Sequence, residues 1–406
     1  MAQRKLTVFV YLPGATTAVP AGLFTHDDDL GVGSFSYGRR YLARDGAFAV
    51  DPVALPLGAT APEVVLNDGL YGAFRDAAPD YWGRLVIAAQ SNVPPESLSE
   101  VDFLLAANAT RVGNLDFRDS PQSPEPMLQP PHFNHLAGVM DAAKRIEAGE
   151  QPDAHLLQLL RQGSSMGGTR PKCTVEWQDS LWIAKFSAKE DSVNIPRIEF
   201  ATMTLAGRCK IRIPEIRVVA VGDKDVFLVR RFDRELGASG WLRRGFLSAL
   251  SLMQWDEKDR LRWDYLALAD TMRRYVSKSQ VAELFRRMVF NVLVRNQDDY
   301  PRNHGFVVDG ADLSLSPAYD IVPGLTRVGV GTRFQLAMSL GDRGREASVA
   351  NALSRASRFG LSPGEARAIT EELIETTRQW RTLFGDLGVS DRDVELLTPS
   401  FLGSED

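Results

Sequence analysis

The sequence predicts an α+β chain built in two lobes, a β-rich N-terminal part followed by a mostly helical C-terminal part. Three observations carry this. Short runs rich in β-branched and aromatic residues, LTVFVYL, KCTVEW, LWIAKF, IRVVAV and VFLVRRF, all lie before residue 233. Beyond about residue 246 the apolar residues recur mainly at helical spacing. The segment 119–132, DSPQSPEPMLQPPH, holds five prolines and no apolar periodicity, and so reads as a linker.

The elements follow in order. LTVFVYL, from Leu6 to Leu12, is a first strand, and GVGSFSYGRRYLA is a Gly-punctuated strand and turn. PDYWGRLVIAAQ and SEVDFLLAAN have helical spacing, the second with Ser99 as its N-cap. Residues 1–118 are thus expected to form one α+β domain. After the linker come two helical patterns, FNHLAGVMDAAKRIEAG and DAHLLQLLRQG. The short strands with one helical insert, IPRIEFATMTLAGR, complete a second section, 133–245. The remaining section, 246–406, opens into helices. In SQVAELFRRMVFNVLVRN, apolar residues at 281, 284, 285, 288, 289, 292 and 293 make one broad stripe. GFVVDG and DLSLSP interrupt the helices with β-like pieces, and PGEARAITEELIETTRQWRTLFGDL reads as one last long helix.

Composition narrows the function classes. With 406 residues, 44% hydrophobic and 24% charged, the chain can bury sizeable cores. A net charge of −5 argues against nucleic-acid binding through overall charge. Two cysteines, Cys173 and Cys209, supply neither a disulfide framework nor a Cys-rich zinc site. The five histidines show no metal-ligand spacing, and no G-x-S-x-G anchors a hydrolase triad. The N-terminal apolar run is too short for a signal peptide, and no apolar run approaches the roughly 20 residues that span a bilayer. The expectation is a cytoplasmic protein without membrane partners.

Four stretches carry chemistry. GSSMGGTRPK, Gly163 to Lys172, has the glycines and small hydroxyls that let backbone N–H groups approach phosphate oxygens. It is not a Walker A loop, since Thr169 stands where that motif needs Lys; a flexible turn is the alternative. Lys185 sits inside LWIAKF, where burial calls for an anionic partner such as a nucleotide phosphate, unless the side chain faces water. Glu199 in the helical insert is either its partner or an ordinary helix carboxylate.

The third stretch is RNQDDYPRNHGF. Asp298 and Asn303 are five residues apart, the D-x-x-x-x-N spacing of kinase catalytic loops. Phosphoryl transfer needs a carboxylate to take the proton of the attacking hydroxyl and an oxygen ligand for Mg²⁺ close by. Arg302 between them could neutralise charge on the transferring group. Asn, Asp and Pro also favour plain solvated turns. A glycosidase pair fits worse, because neighbouring carboxylates do not oppose each other across about 5–9 Å. Fourth, LSPAYD places Asp320 after a β-like run, suited to a second metal ligand.

In this order the motifs resemble those of the HipA family, serine/threonine kinase toxins of bacterial type II toxin–antitoxin modules. GSSMGGTRPK resembles the family's Gly-rich loop, WIAKF its ATP-binding lysine strand, NQDDYPRNHGF its N-x-D-D-H-x-[KR]-N loop and LSPAYD its metal motif. SFSYGRRYL and FRDAAPDYWGRL resemble the domain preceding the kinase core, and LVRRFDR with RRGFLSAL the turn into the adenine-contacting hinge. The resemblance implies a kinase-like two-lobed fold with an extra N-terminal domain, and ATP with Mg²⁺ as cofactors. It makes Asp298 the catalytic carboxylate and Asn303 and Asp320 the metal ligands. Ser164, Ser165, Met166, Gly167, Gly168 and Lys185 would bind the nucleotide phosphates, and Arg244 and Phe246 would flank the adenine. Ser165 falls at the family's autophosphorylation position. The implied partners are a helix-turn-helix antitoxin, DNA only through that antitoxin, and a translation component, notably an aminoacyl-tRNA synthetase, as substrate. Tyr300 departs from the family, which usually has His there. A small-molecule kinase and a non-catalytic co-repressor are the competing functions.

Overall fold

The computed structural model describes residues 3–58, 61–163, 168–325 and 333–402. The chain divides into two compact units. The first comprises Met1–Glu190, Val219–Asp256 and Val307–Asp312; the second Asp191–Val218, Glu257–Phe306 and Leu313–Asp406.

In the first unit the expected opening strand is β1 (Arg4–Tyr11), joined by β2 (Ala18–Asp27), β3 (Val32–Tyr37) and β4 (Leu115–Arg118) in the order β3-β2-β1-β4, all antiparallel. From Leu6 to Tyr11 every residue of β1 is buried, so the central strand is covered on both faces. The Gly72–Ala77 helix lays Phe74 into an aromatic cluster with Phe24, Phe35 and Phe117, each pair edge to face at 5.1–5.6 Å. Gly33 is obligatory in this packing, because a Cβ there would lie 2.1 Å from the Gly69 carbonyl oxygen. The helix Glu100–Ala106 begins at Ser99 as expected, with a complete capping box to Asp102.

A second sheet orders β5 (Lys172–Trp177), β6 (Ser180–Lys185), β7 (Ile216–Val221) and β8 (Lys224–Arg230) as β5-β6-β8-β7. Its core joins Trp82 and Val86 of the Tyr81–Ser91 helix to Val139 and Leu160 of the Leu136–Glu147 and Ala154–Gly163 helices, over Val175, Trp182 and Leu228. The proline-rich 119–132 segment holds neither helix nor strand. The Tyr11 hydroxyl donates to Glu125 within it.

Beside it, β9 (Arg234–Gly237) and β10 (Gly240–Arg243) form a hairpin, followed by β11 (Gly245–Ser248). Next to the hairpin lies a buried ion cluster centred on Asp233. Its carboxylate takes Arg231 at 2.7–2.9 Å, Arg234 at 2.9 Å and the Gly113 N–H at 2.9 Å. Burial opposes its ionisation, but the two guanidinium groups win and hold the Asp233 carboxyl well below the usual range.

The second unit is helical around the long Lys278–Leu293 helix, which packs against Pro363–Thr377. The stripe expected from periodicity is buried, and Arg287 and Asn291 are buried with it. The hairpin of β12 (Gly305–Asp309) and β13 (Asp312–Leu315) supplies the two β-like pieces, its Val307–Asp312 part belonging to the first unit. The last long helix is interrupted, as Pro363–Thr377 and Trp380–Asp386. Thr376 and Thr377 are poor helix formers, and the Thr376 hydroxyl bonds back to the Glu372 carbonyl, which bends a helix. No helix among the described residues is long and apolar enough to cross a membrane.

Candidate active site

The loop from 295 to 304 emerges where the Lys278–Leu293 helix ends. Arg295 takes a left-handed conformation, φ 47°, and turns the chain. Asn296 is buried and ties the loop to the helix it leaves: its N–H donates to the Asn291 carbonyl at 2.9 Å and its amide nitrogen to Asn291 Oδ1 at 3.2 Å. Its Oδ1 accepts from the Asp298 N–H at 3.1 Å. The two adjacent aspartates then part. Asp298 is exposed, whereas Asp299 is 1% exposed.

Asp299 accepts the Tyr265 hydroxyl at 2.9 Å and the Ala337 N–H at 2.6 Å. Burial pushes its carboxyl up to about 7 despite these donors. His304 is buried against the same tyrosine, Nε2 lying 3.1 Å from the hydroxyl, and burial brings it down to about 3, so the ring is neutral. Tyr265 is itself pushed well above its ordinary value by burial and by the Asp299 charge.

Pro301–Asn303 is a single 3₁₀ turn. The Asn303 side-chain nitrogen donates to the Asp298 carbonyl at 2.7 Å, which leaves its Oδ1 as the end for a cation. Asp320 has φ 59°, an uncommon conformation for a residue other than glycine. Asn303 and Asp320 line one cavity of about 10 Å³ together with Asn296, Asp299 and His304. Two hard oxygen donors there suit Mg²⁺, which keeps several waters and phosphate oxygens of its own. Arg302 pairs with Glu257 at 2.6 Å, and the Tyr319 hydroxyl donates to its carbonyl at 2.7 Å.

The other candidate residues fall as follows. Glu199 lies on the Ile195–Arg208 helix of the second unit and is 3% exposed, so it is not an ordinary surface carboxylate. Lys185, Gly168, Arg244 and Phe246 belong to the first unit. Lys185 ends β6, half-buried, 6.0 Å from the Phe227 ring. Gly168 has φ 103°, and its N–H donates to Asp80 at 2.7 Å. Arg244 is exposed and pairs with Glu235 at 2.8 Å, while Phe246 packs 6.2 Å from Phe232. Ser164, Ser165, Met166 and Gly167 lie outside the described residues.

Sequence reasoning missed Lys172. It is buried and stands directly opposite Lys185 in the β5–β6 register, with its Nζ against Gly168. Two like charges opposed on adjacent strands are unfavourable without anionic company. Tyr265 was missed as well, since its helix reads only as apolar.

The class is an α+β chain whose second unit presents a carboxylate loop beside an Asn–Asp oxygen cavity. Comparison gives the family: a model of the HipA-like C-terminal domain matches residues 164–381, more than half of the chain, and the protein belongs to the HipA-like family. The HipA chain in a Shewanella oneidensis MR-1 structure of HipA, HipB and operator DNA aligns over 97% of this chain and 94% of its own, with a TM-score of 0.63 and 15% identity. The kinase-like α+β fold expected from the sequence is therefore the fold of this chain. The Helicobacter pylori proinflammatory kinase CtkA aligns over 58% of this chain and 88% of its own, with a TM-score of 0.44 and 13% identity. A Sinorhizobium fredii protein named "Putative kinase Y4dM" is 27% identical over 154 residues, 35% of this chain and 37% of that relative. The match thus spans little more than a third of the relative's length.

Proposed function

We propose that the chain is an ATP-dependent serine/threonine kinase toxin of a toxin–antitoxin module, active in the cytoplasm. The observation that carries this reading is the split loop: an exposed carboxylate, Asp298, beside a cavity lined by Asn303 and Asp320. In this reading the acceptor hydroxyl attacks the γ-phosphorus in line. A new P–O bond forms to the Ser or Thr oxygen, the bond to the β–γ bridging oxygen breaks, and ADP leaves. Asp298 orients the hydroxyl and receives its proton. Asn303 and Asp320 would hold Mg²⁺, which when bound offsets negative charge on the phosphates. Lys185 and the 164–168 segment bind the phosphates, Arg302 neutralises charge on the moving group, and Arg244 and Phe246 flank the adenine. Ser165 is the self-modified residue; a phosphate there brings about −1.5 to −2 charges into a phosphate-binding loop and switches it off.

The substrate in this reading is a translation component such as an aminoacyl-tRNA synthetase. The inhibitory partner is a helix-turn-helix antitoxin, with DNA engaged only through it; the Shewanella structure holds HipA with HipB and operator DNA. The test is incubation of the full chain with γ-labelled ATP and either a cell lysate or a metabolite extract. Label in discrete proteins and at Ser165, lost about 10²–10⁴-fold in Asp298→Asn, is the expected result. Label only in metabolites, or undiminished labelling by Asp298→Asn, overturns the proposal.

A further inference from the structure

The exposed aspartate of the loop is held on its N–H side by a buried network of polar groups. Tyr265 opens the Tyr265–Met272 helix, whose N-cap Asp264 accepts from the Ala267 N–H at 2.8 Å. Its own N–H donates to the Ser339 carbonyl at 2.9 Å, so both ends of the residue are anchored. Its hydroxyl meets three partners: Asn291 Nδ2 at 3.0 Å, Asp299 Oδ2 at 2.9 Å and His304 Nε2 at 3.1 Å. Asn291 lies on the long helix, and Asp299 and His304 on the loop. His304 follows directly on the Pro301–Asn303 turn, its backbone N–H donating to the Pro301 carbonyl at 3.4 Å. Asn291 and Asn296 extend the network to the Asp298 N–H. All five side chains are at least nine-tenths buried.

The hydroxyl accepts from Asn291 and has a single proton, which goes to Asp299 when that carboxyl is ionised, or to His304 Nε2 when Asp299 is protonated and donates in turn; removing the oxygen strands desolvated groups. Asp299 also accepts from Ala337, so the network pins the 333–340 segment to the loop. Asp298 lies between two points of this frame, its N–H on Asn296 and its carbonyl on Asn303.

We propose that Tyr265, Asp299, His304 and Asn296 are positioning residues for phosphoryl transfer, with the Tyr265 hydroxyl as the node that aims Asp298. This rests on the kinase reading above. Tyr265→Phe removes only the node's oxygen, and Asn296→Ala, a second and independent variant, removes the acceptor of the Asp298 N–H. A carboxylate misplaced by about 1 Å costs on the order of 10²-fold in rate. Expected for both variants is a kcat, counted per folded nucleotide-binding site, at least tenfold lower with KM for ATP within twofold; a smaller folded fraction would lower Vmax but not this per-site rate. Independently of activity, hydrogen exchange of amides in 296–304 should quicken at least tenfold in both variants and stay unchanged in the first unit. Unchanged exchange in 296–304, or a kcat within twofold of an active wild type, overturns the proposal. If the wild type transfers no phosphate while exchange in the loop still quickens, the frame stands and the kinase reading alone falls.

Discussion

Replacing Asp299 by asparagine should change how stability depends on pH, and the structure sets the sign and size. In the fold the Asp299 carboxyl is raised from 3.8 to about 7, so the folded state keeps a proton that the unfolded state releases. Its contribution is complete below about 4 and is lost as pH rises through about 7. His304 runs the other way, lowered from 6.5 to about 3: its contribution is complete above 6.5 and is lost as pH falls. Between about pH 4 and 6.5 the unfolded chain holds one proton on His304, and the folded chain holds one on Asp299. The two slopes cancel, and this pair leaves the wild type level over that window.

Asparagine cannot titrate, so only the histidine's slope remains. The variant should lose stability relative to wild type as pH falls, by about 1.4 kcal/mol per pH unit. Over the full range from about 7 down to about 4 the difference is on the order of 4 kcal/mol, from the raised carboxyl alone. Urea denaturation of both chains at pH 4.5, 5.5, 6.5 and 7.5, free of metal and nucleotide, measures it. Other titrating groups are common to both proteins and drop out of the difference. A difference independent of pH would refute the argument that burial holds Asp299 neutral.

Three other outcomes are expected. Asp320→Ala should raise the Mg²⁺ concentration needed for half-maximal transfer by at least tenfold, and a superimposable Mg²⁺ titration would remove Asp320 from the cavity's proposed role. Asp233→Ala should cost about 3–5 kcal/mol of first-unit stability, because Arg231 and Arg234 are left buried without their shared carboxylate. Its denaturation midpoint against wild type reads this directly. Gly163→Ala should destabilise by about 1–3 kcal/mol, since the added methyl would lie 2.2 Å from Cys173 Sγ and 2.4 Å from the Thr174 carbonyl oxygen. Thermal melting checks it.

Much of the architecture was legible because it depends on local pattern. The Leu6–Tyr11 run, the Ser99 capping box and the stripe from 281 to 293 all appear where spacing puts them. The D-x-x-x-x-N interval likewise marked the loop before its geometry was seen. What spacing could not show is which of two identical neighbours faces water. Asp298 and Asp299 are chemically alike, and their opposite fates depend on Tyr265, 34 residues upstream, and Ala337, 38 residues downstream. The Lys172–Lys185 pairing was hidden for another reason. It requires the β5–β6 register, set by a two-residue turn at Gln178 and Asp179, both left-handed, φ 49° and 51°. Gln-Asp is a poor advertisement for that turn, which usually shows Asn-Gly or Asp-Gly. Glu199 could not be read as buried from a helix pattern alone.

The parting of Asp298 and Asp299 makes chain length in this loop a strict quantity. One residue inserted between Asn296 and Asp298 would carry Asp298 into the buried slot against Tyr265 and leave Gln297 in the exposed position, while deleting Gln297 would bring Tyr300 into the buried slot; either way the exposed acid or the buried one is lost or displaced. Scanning single-codon insertions between Asn296 and Asp299 should therefore abolish labelling while leaving the chain folded.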